Sequence, residues 1–313
     1  MKPSTLIMIL VSFIILAALA FFVFGHTVLS QVLKGNTVVN EETNMHKSVE
    51  SDLEKYLAPY QLKIQATKKP VIRIALEDMT SDDILVSKVG GMAYWPEDEK
   101  YPTGENGKPL FLLAQIRFDE MPAMAGYPSQ GMLQFFIADT DYYGANFDGQ
   151  FSVKQLQVQK NYHIRYWPSL DKKTQTVDAG ISDSLPHDPK KPRRMQFERQ
   201  EEFISGSDFR FDKIFGMAHY ESIEKYANAQ GIDEDALTDA VWEHFDGSGH
   251  KIGGYPYFTQ TDPRDSGDME LLFQLDSDDH MMWGDVGVAN FFIHPDDLKQ
   301  LNFSRVAYNW DCH

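Results

Sequence analysis

Lys88-Val89-Gly90-Gly91-Met92-Ala93-Tyr94-Trp95-Pro96 and Lys251-Ile252-Gly253-Gly254-Tyr255-Pro256-Tyr257-Phe258 are two versions of one phrase. After the first come Leu112-Leu113-Ala114-Gln115-Ile116 and Gly131-Met132-Leu133-Gln134-Phe135-Phe136-Ile137. After the second come Leu271-Leu272-Phe273-Gln274-Leu275-Asp276 and Gly287-Val288-Ala289-Asn290-Phe291-Phe292-Ile293. The blocks keep their order, and each closing glycine stands four residues before Phe-Phe-Ile. A glycine pair suits a turn with positive φ or a close backbone approach. LLAQI and LLFQL are short apolar runs, as in strands covered on both faces. Two copies at this spacing are too few and too far apart for a solenoid. The pattern predicts an α+β, sheet-dominated domain with an internal pseudo-twofold duplication, its halves at about 84–140 and 249–311.

Outside these blocks, Val71 to Leu76 reads as a strand. Val153 to Gln159 and Tyr162 to Trp167 are further strand candidates. Glu41 to Tyr60 reads as a helix, with Met45, Val49, Leu53 and Leu57 four residues apart and Pro59 closing it. His219 to Ala229 and Asp233 to Phe245 read as helices, the second opened by three acids that favour a helix N-terminus. Asp296-Asp297-Leu298 opens a short helix by the same logic. Ser182 to Arg194, rich in Pro, Asp and Lys, reads as an exposed loop.

At the N-terminus, Leu6 to Phe24 is apolar except for Ser12, and no charge lies between Lys2 and Lys34. Nineteen residues of helix span roughly 28 Å, close to the ~30 Å hydrocarbon core of a bilayer. A cleaved signal peptide has a shorter apolar region and small residues at its end, whereas Ala18-Leu19-Ala20 runs on into Phe21-Phe22-Val23-Phe24. The expectation is one uncleaved transmembrane helix at residues 6–24. Residues 1–34 are then anchor and flank, 35–67 linker and helix, and 68–313 the folded domain. The positive-inside rule puts the N-terminus in the cytoplasm and the domain in the periplasm or outside the cell. The localisation expected is a single-pass cell-membrane protein.

The 313 residues carry 29 basic and 46 acidic side chains, a formal charge of −17. Setting aside Lys2 and Lys34 leaves 27 against 46 in residues 35–313, or −19. Such a surface repels nucleic acid, which needs basic contacts, and repels an anionic bilayer. The one cysteine, Cys312, excludes an intramolecular disulfide and any cysteine-rich metal site.

The repeat blocks resemble the YwqG-like proteins, a bacterial domain of unknown function. The most specific stretch runs from Leu271 through Asp278, Met282-Trp283-Gly284-Asp285-Val286-Gly287 and Phe291-Phe292-Ile293 to Asp297-Leu298 and Phe303-Ser304-Arg305-Val306. The likeness covers about Lys68 to His313, and the anchor lies outside it. The resemblance implies a mixed α/β fold with an internal duplication and supplies no catalytic residues. Some members sit beside secreted-toxin loci, which implies an immunity or partner-binding role.

For a ligand, the residues at matching repeat positions are the candidates: Gly90, Gly91, Trp95, Gln115, Gly253, Gly254 and Gln274, with Trp283. They would line one cleft if the glycine turns converge. Each glutamine otherwise ties a loop to the sheet, since a buried amide must find partners. For a metal, Asp276, Asp278, Asp279 and Asp285 offer four carboxylates within ten residues, a set suited to Ca²⁺ or another divalent cation. They lack the glycine and terminal glutamate of an EF-hand, and a solvated turn is the plainer reading; no cofactor is expected. Asp139-Thr140-Asp141-Tyr142-Tyr143-Gly144 begins like a calcium loop, but Gln150 stands where a glutamate is needed. Of the histidines, only His280 adjoins the acidic turn. Lys190-Lys191-Pro192-Arg193-Arg194 reads as a solvated basic loop.

No nucleophile elbow, Walker A loop or His-Glu-x-x-His helix is present. The reading is therefore a membrane-anchored, non-enzymatic binding module whose acidic face suits a basic protein partner. A metal-assisted hydrolase built on Asp276 to Asp285 and a structural envelope protein are the alternatives.

Overall fold

Among the described residues ten strands form one antiparallel sheet, in which the late strands lie on one side of a central pair and the early strands on the other. β1 (Lys69–Asp78), β2 (Lys88–Val89), β3 (Phe111–Arg117), β4 (Met132–Ile137), β5 (Tyr162–Trp167) and β6 (Arg193–Glu202) come first. β7 (Lys251–Gly253), β8 (Glu270–Asp276), β9 (Val288–Ile293) and β10 (Ala307–Asp311) follow. Across the sheet they run β10-β9-β8-β7-β1-β6-β2-β3-β4-β5. The computed structural model describes residues 48–147, 152–264 and 267–313.

The centre is the long pair β1–β6, in register from Lys69 with Glu202 to Asp78 with Arg193. β7 joins the other side of β1, and β2 the other side of β6. In each wing the next strand carries a bulge at a matching place, between Leu112 and Ala114 in β3 and between Leu271 and Phe273 in β8. Such bulges bend a strand and deepen its twist. The sheet accordingly curls into a half-barrel, until its two edge strands meet. The rings of Tyr162 in β5 and Tyr308 in β10 are 5.3 Å apart, and Tyr162 Oη donates to the Val306 carbonyl at 2.9 Å.

Curling explains why β4 and β9 read as unbroken apolar runs. Leu133, Phe135 and Ile137 face inward and meet Ala289, Phe291 and Ile293 of the other wing. Phe135 lies 4.8 Å from Phe273 and 4.7 Å from Phe291. Full burial of each such ring contributes about 1.5–3 kcal/mol. The outer faces are covered as well, by Tyr94 and Trp95 over β4 and by Phe258 over β9.

Helices fill a separate core. α1 (residues 48–57) and α2 (Gln61–Ala66) pack with α4 (Asp212–Phe215), α5 (His219–Gln230) and α6 (Glu234–His244) through Tyr56, Ile64, Phe215, Ile223 and Val241. Asp233 caps α6 by accepting from the Ala236 amide. α7 (Pro295–Lys299) follows β9.

Three element expectations are corrected. Val153 to Gln159 is not a strand: Ser152 accepts from the Gln155 amide and caps a short helix, α3 (Val153–Leu156). The loop expected to end at Arg194 stops earlier, because Arg193 and Arg194 open β6, and its residue His187 is buried rather than exposed. The helix expected to stop at Pro59 resumes: a 3-10 turn over Ala58–Tyr60 uses proline at its start, where the missing amide costs nothing. The transmembrane helix expected at residues 6–24 lies outside the described residues. Among the described residues, no helix is long and apolar enough to cross a membrane.

Candidate functional site

Both glycine pairs adopt the left-handed conformation, with φ of 69° and 74° at Gly90 and Gly91 and 68° and 71° at Gly253 and Gly254. The reason lies beneath them. Lys88 is fully buried and pairs with Asp82, which also accepts the Met92 amide at 2.6 Å. Lys251, equally buried, lies 3.3 Å from both oxygens of Glu202, which also accepts the Tyr255 amide. In each wing a buried lysine and the amide just past the glycines grip one carboxylate. A Cβ on Gly91 would stand 2.7 Å from Asp82, and one on Gly254 would overlap Glu202. Burial pushes the Lys251 ammonium down to about 8, with Glu202 pulling it back and Arg73 adding to the fall. Burial lowers Lys88 likewise against the pull of Asp82.

The glutamines bind backbone. Gln115 donates to the carbonyls of Ile84 at 2.9 Å and Val86 at 2.7 Å, and its oxygen accepts the Tyr94 amide at 3.4 Å. Gln274 donates to Gly247 at 3.0 Å and Gly249 at 2.8 Å and accepts from Tyr257 at 2.8 Å. Each ties the segment before the glycine turn to the segment after it. Trp95 packs edge-on to Tyr101, Phe136 and Trp167. Trp283 is fully buried away from both turns, beside Tyr143.

Each turn opens on its own cleft, and the two clefts have no lining residue in common. The first holds about 320 Å³ between Gly91, Met92 and Tyr101, covered by Thr176–Gly180 and Pro189. The second holds about 470 Å³ beside Gly253 and Gly254, with walls of Met124, Tyr127, Leu271 and Leu298. Its polar end is a closed set of ion pairs. Glu270 accepts from Lys69 at 2.9 Å and Arg210 at 2.7 Å, Arg210 also grips Asp208, and buried Arg264 binds Asp208 and Asp262. Lys69 lies 3.8 Å above the Tyr255 ring.

The four aspartates do not share a centre. Asp276 accepts the amides of Gly249 at 2.6 Å and Ser277 at 2.8 Å, and burial pushes its carboxyl up. Asp278 accepts from Arg193 at 2.6 Å, His250 at 3.2 Å and the His280 amide at 2.8 Å. Burial works to raise it, but these donors prevail and hold it well below the usual carboxylate range. Asp279 and Asp285 are exposed. Among the described residues, no three His, Cys, Asp or Glu side chains gather as a metal would need. The basic run corrects in the same way: Arg193 is engaged by Asp278, and Arg194 by Glu120 at 2.9 Å.

A third pocket, of about 300 Å³, lies at the β10 edge between Tyr142, Phe147, Gln260, Asn309, Trp310 and Asp311. Asn309 is 1 % exposed, and its Oδ1 finds no donor among the described residues; the Oδ1 of its register partner Asn290 finds none either. Each such orphan costs about 1–3 kcal/mol. In the first wing the corresponding oxygen, Gln134 Oε1, accepts Trp167 Nε1–H at 2.6 Å. Asp311 stands across from Val288 as Trp167 stands across from Met132, so the donor is replaced by a carboxylate.

The sequence reading missed Asp82, Glu202 and Asn309, took His187 only as one of seven histidines that could act as a base, and passed over Lys88 and Lys251 as mere starts of the repeat. The legible signal was a lysine at the same place in two otherwise apolar strands. A charge so placed must be buried and paired.

Residues 87–312 match a family described as a domain of unknown function (DUF1963). No curated protein matches the chain.

Proposed function

This chain belongs to the DUF1963 family, a domain of unknown function, and from that premise we propose that it is a non-enzymatic binding module whose ligand occupies the cleft beside Gly253 and Gly254. The observation that carries this reading is the contrast between the walls and the polar end of that cleft. The walls are apolar and open, while Lys69, Arg210 and Glu270 neutralise one another rather than presenting a free nucleophile or base. Apolar clefts with a few convergent polar groups are the usual form of small-molecule sites. The matching glycine clasps, glutamine ties and bulges support a duplication, in which each copy keeps a cleft of its own and the second is the larger. They also support the likeness to the YwqG-like proteins.

The charge of −19 on residues 35–313 supports a second reading, capture of a basic protein partner by electrostatic steering. The apolar run at residues 6–24 supports a membrane tether for such a module. The hydrolase reading has no observation that favours it, since Asp276 and Asp278 are committed to separate partners.

The test is a fragment screen by ligand-detected NMR on the wild type and on Leu298→Trp, which fills the cleft, with folding checked by circular dichroism. Fragments that bind the wild type and are lost in the variant are expected. The same fragments bound equally by both would remove the cleft from the proposal.

A further inference from the structure

The end of α6 and the start of α5 leave three large apolar side chains at the surface. Met217, Tyr220 and Trp242 are 40 %, 61 % and 40 % exposed. His219 joins the two rings, lying 5.2 Å from Trp242 and 5.8 Å from Tyr220. The inner side of the indole is fixed. It stacks on Phe211 at 6.3 Å and rests on Gly206, where any Cβ would stand 2.6 Å from the ring. The indole is thus held in place while its outer part faces solvent. Exposed tryptophan and tyrosine rings are the usual anchors of protein interfaces.

The charge around these rings has one sign. From Asp233 to Asp246 the chain holds six acids and no lysine or arginine. Asp235, Asp239 and Trp242 are spaced by four and three residues, which puts them on one face of α6. Glu224 stands four residues after Tyr220 on α5. Lys225 is the one lysine or arginine on either helix, and five residues of helix turn it away from Tyr220. Among the described residues, none from Tyr220 to Gly249 takes part in an ion pair. Elsewhere carboxylates are taken: Asp82, Glu202, Asp208 and Glu270 are each gripped by a lysine or arginine of this chain.

These neighbours select the occupant. A second copy of this chain carries −17 itself, and an anionic bilayer is repelled in the same way. A basic segment of a partner suits both parts of the surface. Its lysines or arginines meet the unpaired carboxylates and the ring faces, and its apolar side chains cover Trp242 and Tyr220. On the reading that this chain captures a basic protein, we propose that the corner of α5 and α6 is the docking surface, and that its occupant is a lysine- or arginine-rich amphipathic segment of that partner.

The probe is a fluorescein-labelled peptide, two repeats of Leu-Lys-Lys-Leu-Leu-Lys-Leu, titrated into the full-length protein and read by anisotropy. Hexalysine has the same charge without the leucines, and a third peptide carries Glu for every Lys. Saturable binding of the first is expected, about tenfold tighter than hexalysine and weakening steeply with salt, with no binding of the acidic peptide. Tyr220→Ser removes a ring that lies mostly outside the fold, and Trp242→Gln removes the other, with folding checked by circular dichroism. A weakening of about fivefold or more is expected for each. Asp235→Lys with Asp239→Lys should weaken binding about tenfold. Asp183→Lys with Glu198→Lys, an equal change of charge at exposed acids outside both helices, should weaken it only about twofold. Equal weakening by the two pairs, hexalysine bound as tightly as the amphipathic peptide, or undiminished binding in folded Tyr220→Ser each overturns the docking surface and leaves capture by general acidity standing. No binding of either basic peptide removes both. Self-association, or binding to phosphatidylcholine vesicles, that Tyr220→Ser abolishes would give the corner to a second copy or to a lipid surface and overturns the proposal as well.

Discussion

The two glycine turns share one local construction and differ in what lies on top. At Gly91 the amide donates to the Pro189 carbonyl at 2.9 Å, and the segment carrying Pro189 lies over the turn. His187 of that segment packs on Gly90, donates its Nε2–H to the Leu112 carbonyl at 3.3 Å, and bridges to Met281 of the other wing. At Gly253 the cover comes from the other wing, where Met124 and Tyr127 pack on the glycine and Tyr127 Oη donates to the Leu271 carbonyl at 3.2 Å, and the larger, apolar cleft stands beside them. Lysine, carboxylate and glycine pair fix the backbone in both places. The covers differ in chemistry, a buried imidazole over the first and a thioether and a phenol over the second.

The hardest test of the shared construction is to remove its carboxylates. Glu202→Gln leaves Lys251 buried with no counter-charge and also strips Arg73 of a 2.8 Å bond. A loss of about 3–5 kcal/mol in urea unfolding is expected, the usual cost of breaking a buried pair. Asp82→Asn should cost less, because the Asp82 side chain is 20 % exposed against 11 % for Glu202 and water replaces part of what is lost. Equal losses would mean the two clasps are buried alike in solution. No loss at either would mean that the lysines are not held as pairs.

Acid should act on the cover of the first turn alone. Burial pushes the His187 imidazole down to about 4, against the opposing pulls of the Leu112 carbonyl and Asp188. An unfolded histidine titrates near 6.5. Between these values the unfolded chain binds more protons, so the contribution of neutral His187 is complete above pH 6.5 and is lost as pH falls towards 4. The full span amounts to about 3 kcal/mol. Asp278 also loses stability in acid, so the comparison is between wild type and His187→Phe across pH 7 to 4. The variant should show a shallower decline. Parallel curves would show that His187 is not buried neutral, and the strap would lose its place in the contrast.

What the sequence revealed and what it hid follow the same division. Patterns within a strand were readable: the apolar blocks of β3, β4, β8 and β9, the glycine pairs, and the glutamines between apolar neighbours. Partners brought from elsewhere were not. Asp82 and Glu202 reach their lysines from other elements, and nothing in local spacing marks them. β6 escaped notice because Arg193 to Glu202 offers only Met195 and Phe197 as apolar signals among charges, and its strand character comes from pairing with β1 and β2. Val153 to Gln159 misled through alternation, where a serine cap decided for helix. The aspartates near Asp276 looked like a set because they are close in sequence, yet Asp276 and Asp278 turn to different neighbours and Asp279 and Asp285 are exposed.

The smallest expected effect tests the contrast between the outer faces of the two wings. In the first wing Trp167 is 4 % exposed and satisfies Gln134; in the second, Asp311 leaves Asn290 Oδ1 without a donor. Trp167→Phe keeps most of the ring packing against Tyr94 and Trp95 and removes the indole donor. It should cost about 2 kcal/mol, since a buried acceptor is left unmade. Such a loss would show that an acceptor of this kind is expensive where the wing is packed closed. The second wing carries the equivalent orphan, and a second one at Asn309, beside a pocket of about 300 Å³. If Trp167→Phe costs nothing, orphan oxygens on these faces are cheap and the asymmetry between the wings carries no meaning. If it costs what burial predicts, the second wing forgoes that stability twice, at Asn290 and at Asn309.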